Sequence, residues 1–109
     1  MTIILTRYLY FLDECFYSLL FGLINKTSFD EIIFWAGEIY YSGFEDRLWT
    51  HIWKIYYDFY AIKYPKFERK INNMAKDWQK NQNIENILYV LNLLYYSNVN
   101  YDVFIMRML

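Results

Sequence analysis

Apolar side chains recur every three to four residues along most of this chain, and short polar or turn-forming stretches divide the pattern into six segments. This spacing matches the 3.6-residue period of amphipathic helices, whereas the strict alternation of β-strands is not sustained anywhere at length. The pattern therefore predicts an all-α fold, a compact array of five to six short helices. The predicted helices cover about residues 7–24, 28–42, 45–64, 65–80, 84–96 and 101–109.

Several predicted helix boundaries carry their own signals. Ser28 and Glu31 have the spacing of a capping box, in which the Ser hydroxyl accepts from the Glu amide and the Glu side chain reaches back. Gly43 suits the left-handed residue that follows a helix end. Pro65 stops the third helix and suits the first turn of the fourth. Gly37 lies inside the second helix, where glycine costs about 1 kcal/mol, so we expect a neighbouring helix to approach closely there.

The third predicted helix has polar residues on one narrow stripe only. The polar residues of that stripe are Arg47, Thr50, His51, Lys54 and Asp58. A helix that is apolar elsewhere has to pack on two or three sides, so we expect it at the centre of the fold. The first predicted helix is apolar around most of its circumference as well, and the fourth is clearly two-faced.

The composition of the chain shows an excess of aromatic residues. The chain has 109 residues, enough for a single domain over 1–109, and 24% of them are aromatic. Aromatic side chains bury about 150–250 Å² each, more in total than so small a domain easily encloses. AT-rich coding is a competing explanation for the excess, but the rings still need a place. We expect some to face another protein chain, with these as candidates: Tyr8, Phe11, Tyr40, Tyr41, Tyr101 and Phe104.

Charge is unevenly distributed although the net charge is only −1. Residues 1–46 carry −5 and residues 47–80 carry +5. The two regions could attract each other within the fold or between copies of the chain, so a homo-oligomer is one predicted partner arrangement and another protein is the second. Ordinary solvated surface is the competing interpretation.

The polar face of the fourth predicted helix is basic and supports an alternative function. Its candidate phosphate-contacting residues are Lys66, Arg69, Lys70, Lys76 and Lys80. Several such contacts on one face are typical of nucleic-acid-binding surfaces, which makes a nucleic-acid-binding accessory protein the second hypothesis. Glu68 and Asp77 interrupt the face, as they would in a merely solvated one.

Candidate catalytic groups are few. Cys15 is the only cysteine, so an intramolecular disulfide is impossible and a reducing, intracellular compartment is expected, with the thiol buried. His51 is the only histidine, which removes two-His metal motifs. Asp13 and Glu14 lie inside an apolar segment, so we expect at least one of them to reach solvent or to form an ion pair with a base such as those of the third and fourth helices. A third hypothesis, an enzyme, requires these two acids to meet His51 in one pocket.

Cofactor-binding and membrane-spanning motifs are lacking in the sequence. Gly22, Gly37 and Gly43 are too dispersed for a phosphate-binding loop, so we expect no cofactor and no metal. The apolar stretch at residues 1–24 is divided by Asp13 and Glu14, whereas a bilayer needs about 20 nearly uninterrupted apolar residues. No membrane span is therefore predicted.

The chain resembles a group of uncharacterised proteins of large and giant DNA viruses. The likeness rests on FWAGEIYYSGF at 34–44, WKIYYDFYA at 53–61 and YPKFE at 64–68, with LDE at 12–14, YSLL at 17–20 and YDVFI at 101–105. The resemblance implies a viral protein located in the host cytoplasm or the virion. Members of that group are often longer, and the apolar end at 106–109 agrees with a fragment or a shortened form. No catalytic residue follows from the likeness.

Together these observations predict a non-enzymatic helical module for protein–protein interaction. The resemblance adds that it would be a small structural or assembly component of a large DNA virus. Nucleic-acid binding through the basic helix is the alternative.

Overall fold

The computed structural model describes residues 4–108, and these form six α-helices joined by short turns. The all-α prediction is confirmed. The helices are α1 (Leu12–Asn25), α2 (Phe29–Tyr41), α3 (Glu45–Phe59), α4 (Phe67–Asn81), α5 (Glu85–Tyr95) and α6 (Asp102–Met108). The radius of gyration of 13.7 Å is close to the roughly 13 Å expected of a compact chain of this length.

Helix α3 lies at the centre, as its narrow polar stripe predicts. It packs against α1, α2, α5 and α6, and it contributes a continuous set of buried side chains that ends with Tyr56 and Phe59. Helix α4 packs mainly against α5. Its C-terminal half is also tied to α2 and α3, because the indole N–H of Trp78 donates to the Tyr40 hydroxyl at 2.9 Å and the Trp78 ring lies 6.1 Å from that of Trp49.

The predicted start of the first helix at residue 7 is wrong. Residues 4–11 form a tight loop closed by an isolated antiparallel bridge between Leu5 and Phe11, and α1 begins only at Leu12. Thr6 and Tyr10 exchange hydrogen bonds across the loop, and Leu9 has a φ of +66°. A left-handed residue cannot continue a right-handed helix. The apolar period therefore continues into a segment that is not helical.

Other boundaries follow the sequence in part. Ser28 caps α2 as expected, but its hydroxyl accepts from the Asp30 amide at 3.2 Å rather than from that of Glu31. Gly43 has the expected positive φ, +89°. Helix α3 stops at Phe59, five residues before the predicted end, so the third and fourth helices do not abut at Pro65 but are separated by a turn.

The close helix approach expected at Gly37 occurs instead at Gly22. A Cβ at Gly22 would lie 3.0 Å from Ile32 Cγ1 and 3.0 Å from Thr27 Oγ1, so α2 and the α1–α2 turn lie directly against this glycine. A Cβ at Gly37 would meet no atom within 4 Å. The mid-helix glycine of α2 therefore has no packing role.

Asp58 is the member of the predicted polar stripe that does not face solvent. It is buried, and its carboxylate accepts a hydrogen bond from Arg107 of α6, with which it forms a salt bridge. The ring of Phe59 packs against Tyr101 and Phe104 beside this pair. Asp58 and Phe59 thus attach the C-terminal helix to α3.

Within residues 4–108, each helix is either too short or too polar to cross a membrane.

Candidate functional site

Exposed apolar side chains are concentrated on a few surfaces of this protein. In the part of the chain that the structure describes, eighteen large apolar side chains are exposed, twelve of them aromatic. The accessible surface of 6951 Å² is near the roughly 6,600 Å² typical of a compact protein of this mass. The exposure therefore reflects the composition of the surface and not an open fold.

The loop at residues 4–11 is held by a buried carboxylate. Glu38 of α2 is 1% exposed, and its Oε2 accepts from the Thr6 hydroxyl at 2.7 Å and from the Tyr8 amide at 3.1 Å. Its Oε1 accepts from Arg7 Nε at 3.3 Å. The Arg7 amide donates to the Ser42 hydroxyl at 2.9 Å, which fixes the loop at a second point. Charge-assisted bonds of this kind are about twice as strong as neutral ones.

The fixed loop and α2 together present a group of exposed apolar side chains. The Arg7 guanidinium lies over the rings of both Tyr8 and Tyr41, at 4.8 and 5.2 Å from their centroids. Tyr10 packs edge-on against Phe34 at 6.0 Å. We call this set the aromatic surface, and its members are Tyr8, Leu9, Tyr10, Phe11, Phe34 and Tyr41. Tyr8 and Leu9 at the tip are 65% and 75% exposed.

The predicted interface residues fall into three groups. Tyr8, Phe11 and Tyr41 belong to the aromatic surface. Tyr40 does not, because it is 7% exposed and its hydroxyl donates to the Gln82 carbonyl at 2.8 Å, so its selection as an interface residue is wrong. It is the neighbour of Tyr41 on a helix and points into the core instead. Tyr101 and Phe104 are half-exposed on the separate surface around α6.

A groove between α1 and α2 borders the aromatic surface. Tyr17, Ser18 and Trp35 line two adjoining depressions of about 300 and 390 Å³, and Trp35 packs edge-on against Tyr10 at 5.3 Å. Asp13, Glu14 and Glu31 also line it, so the rim of this α1–α2 groove is acidic. Asp13 and Glu14 are exposed in the first turn of α1, where the helix dipole favours acids, so of the two expected outcomes they reach solvent and do not form the ion pair.

A second concave site lies between α3 and the N-terminal half of α4. This α3–α4 cleft has a volume of about 1030 Å³. Trp53 and Tyr57, one turn apart on α3, stack at 5.6 Å with their planes 19° apart and line one side. The other side comes from α4 and the preceding turn, with these lining residues: Pro65, Lys66, Glu68, Arg69, Lys70, Asn72 and Asn73.

The cleft divides the predicted phosphate-contacting set. Lys66, Arg69 and Lys70 line it, whereas Lys76 and Lys80 lie farther along α4 outside it. All five side chains are exposed. Within residues 4–108 the two salt bridges are those of Arg7 and Arg107, so the basic face of α4 and the acidic α1–α2 rim form no ion pair with each other.

The groups required by the enzyme hypothesis line different depressions. His51 Nε2 donates to the Phe16 carbonyl at 3.2 Å beside α1, and burial lowers the pKa of the imidazole. Asp13 and Glu14 line the α1–α2 groove instead. Cys15 is buried as predicted, and burial, with the Glu38 and Glu14 carboxylates, raises the pKa of its thiol to about 11. Residues 4–108 contain no cluster of three or more His, Cys, Asp or Glu that could hold a metal ion.

Comparison of the chain with protein-family models, with curated proteins and with solved structures gave no match. The resemblance to proteins of large DNA viruses stays a prediction. The functional hypotheses therefore depend on the two surfaces described above.

Sequence reasoning missed Glu38 and the Trp53–Tyr57 stack. Glu38 could have been noticed as a lone acid in the apolar run at 34–41, a place where a carboxylate needs partners. The stack has a weaker signal, two rings at i and i+4 on one helix, because the same spacing also describes core residues.

Proposed function

We propose that this protein is a non-enzymatic helical interaction module that forms a homodimer through the aromatic surface. The observation that carries the proposal is the exposed loop at residues 4–11, whose tip is tied to α2 by hydrogen bonds to Glu38. A preorganised apolar surface loses little conformational entropy when it binds, which favours association.

The size of the aromatic surface fits a weak dimer. With about 200 Å² for each large side chain, its exposed fractions amount to roughly 650 Å² of accessible area per subunit. The largest apolar patch of a typical monomer is about 300–600 Å², and a standard interface buries about 800 Å² per partner. The surface therefore slightly exceeds what monomers carry and approaches what a stable dimer requires, so the expected dimer is concentration-dependent.

The shape of the surface supports a second copy as the partner. It combines a projecting part, the tip with Tyr8 and Leu9, with the adjoining α1–α2 groove lined by Tyr17 and Trp35. In a two-fold dimer each subunit uses the same patch, so each loop tip can enter the groove of the partner. Within a virus, such a module would act as a small structural or assembly component, and the sequence resemblance supports that role.

The dimer can be tested by sedimentation velocity over a range of protein concentrations. We expect wild-type protein to sediment faster as concentration rises, and the double variant Tyr8→Ser/Leu9→Ser to stay monomeric. Tyr89→Ser/Tyr96→Ser is the matched control, because it removes two exposed rings from α5 and its C-cap and leaves the loop intact. The association should persist in about 0.5 M salt, since screening weakens charge contacts more than apolar burial.

Two results would contradict the proposal. One is a wild-type protein that remains monomeric at every concentration tested. The other is an equal loss of association in the α5 control, which would mean that general stickiness and not the aromatic surface drives it.

A further inference from the structure

The α3–α4 cleft combines cationic and aromatic side chains. Three cationic side chains, those of Lys66, Arg69 and Lys70, line one wall, and the stacked rings of Trp53 and Tyr57 line the other. This is a different surface from the one assigned to dimer formation.

The cations of the cleft are available to a ligand. In the described part of the chain, neither of the two salt bridges involves Lys66, Arg69 or Lys70. Lys70 lies over the Phe67 ring at 5.5 Å, which orients its ammonium without neutralising it. Lysine and arginine in a groove can follow the phosphates of a nucleic-acid backbone.

The aromatic wall adds a base-binding function. Trp53 is half-buried and Tyr57 is 40% exposed, so the pair is anchored in α3 and accessible from the cleft. Nucleobases stack on such rings regardless of their identity. Asn72 and Asn73 also line the cleft, and an amide side chain can both donate to and accept from a base edge.

We propose that the α3–α4 cleft binds a short segment of single-stranded nucleic acid. Phosphates contact Lys66, Arg69 and Lys70 while a base stacks on Trp53 and Tyr57. A duplex does not fit this arrangement, because its bases are paired and stacked on one another and leave no free face for a ring.

Glu68 allows a test of whether the ligand of the cleft is an anion or a cation. It is the one carboxylate among the lining residues, and its Oε1 accepts from the Tyr57 hydroxyl at 3.1 Å. Its negative charge opposes phosphate binding, so Glu68→Gln should strengthen binding. A cleft whose natural ligand is a cation would respond in the opposite direction.

Fluorescence anisotropy with a labelled oligothymidylate of about ten nucleotides tests the proposal. We expect binding at low salt, with an affinity that falls about as the second power of salt concentration, as three phosphate contacts on a single strand predict. Arg69→Glu/Lys70→Glu should abolish it. Lys76→Glu/Lys80→Glu is the matched control, because it makes the same charge change on exposed positions of the same helix outside the cleft.

The stacking contribution is tested separately. Tyr57→Leu should weaken binding roughly five-fold or more, whereas Tyr89→Leu, at an equally exposed ring on α5, should not change it. Circular dichroism of each variant checks that the helices are intact.

Several results would overturn the proposal. These are no binding at low salt, equal loss with the Lys76/Lys80 reversal, or weaker binding by Glu68→Gln. Equal competition by poly-glutamate and by unlabelled oligonucleotide would also overturn it, since it would mean that the cleft takes an acidic protein chain. None of these outcomes bears on the dimer, whose variants lie on the other surface.

Discussion

At the scale of single residues, Glu38 explains why the N-terminal segment is a loop. The Tyr8 amide, which would need a carbonyl partner in a helix, donates to the Glu38 carboxylate thirty residues away. The Thr6 hydroxyl donates to the same oxygen. One buried side chain thus supplies the acceptors that local backbone would otherwise provide, and it holds Tyr8 and Leu9 in an exposed position.

Replacement of Glu38 should therefore loosen this loop. We expect Glu38→Gln to lower the free energy of unfolding by about 1–3 kcal/mol, because an amide has one acceptor oxygen for the donors that now share two. Amide hydrogen exchange at Tyr8 should accelerate, and dimer formation should weaken although Glu38 is not on the surface.

Glu31→Gln is the control for the stability part of this prediction. Glu31 is an exposed acid in the first turn of the same helix, so its replacement should change stability by no more than about 0.5 kcal/mol. Equal effects of both changes in urea denaturation would contradict the role given to Glu38.

At the scale of elements, the pairing of α1 with α2 depends on a glycine that periodicity alone does not single out. Gly22 is buried, and its missing side chain allows Ile32 and Thr27 to lie against the α1 backbone. Gly37 is helical too but adjoins open space. The two glycines look equivalent along the sequence, and only the packing of the second helix on the first distinguishes them.

Alanine at these two positions should have opposite effects. Gly37→Ala should stabilise the protein by about 0.5–1 kcal/mol, because alanine is the better helix former and meets no neighbour. Gly22→Ala should destabilise it by about 1 kcal/mol net, since overpacking against Ile32 outweighs the same gain. Urea denaturation measures both changes if the dependence of the unfolding free energy on urea concentration is the same for the two variants. Stabilisation by both substitutions would show that the contact between α1 and α2 has room for a methyl group at Gly22.

At the scale of the whole molecule, His51 links the central helix to the first one. Its imidazole donates to the Phe16 carbonyl and packs on the Phe16 ring at 4.8 Å. Burial lowers the pKa of the imidazole, the hydrogen bond to Phe16 opposes this shift, and the charge of Lys54 adds to it, so that on balance the folded state favours the neutral imidazole. The unfolded chain binds a proton at higher pH than the folded chain does.

Stability should consequently fall on the acid side of neutrality. The stability contributed by neutral His51 is present above the unfolded pKa of about 6.5 and is lost as pH falls through the lower, folded pKa. Each pH unit in that window changes the free energy of unfolding by at most about 1.4 kcal/mol. His51→Gln keeps an N–H donor and should flatten the slope between about pH 7 and 5.

Because His51 is the only histidine, the measurement has no competing imidazole. Denaturation curves at a series of pH values give the pH dependence of the unfolding free energy. If this dependence is the same in His51→Gln as in the wild type, it belongs to carboxylates instead.

The apolar period and the polar punctuation were sufficient to determine the helical class, a number of five or six helices, Ser28 as the residue that caps α2, the turn at Gly43 and the central place of α3. Caps and turns are local properties of the sequence. The central place of a helix depends on how much of its surface is apolar, which the order of residues also shows. The period and the punctuation could not separate Tyr40 from Tyr41, nor a helix from a loop at residues 7–11.

Tertiary structure decided the rest because each missed feature depends on a partner remote in sequence. Tyr40 is held in the core by hydrogen bonds with Trp78 and Gln82, the exposed loop at residues 4–11 is fixed by Glu38, and Asp58 pairs with Arg107. The excess of aromatic residues is visible in the composition, but the packing of the helices against one another determines which rings stay exposed to solvent. Likewise, Lys66, Arg69 and Lys70 line one cleft with Trp53 and Tyr57 only because the fold places the N-terminal half of α4 beside α3.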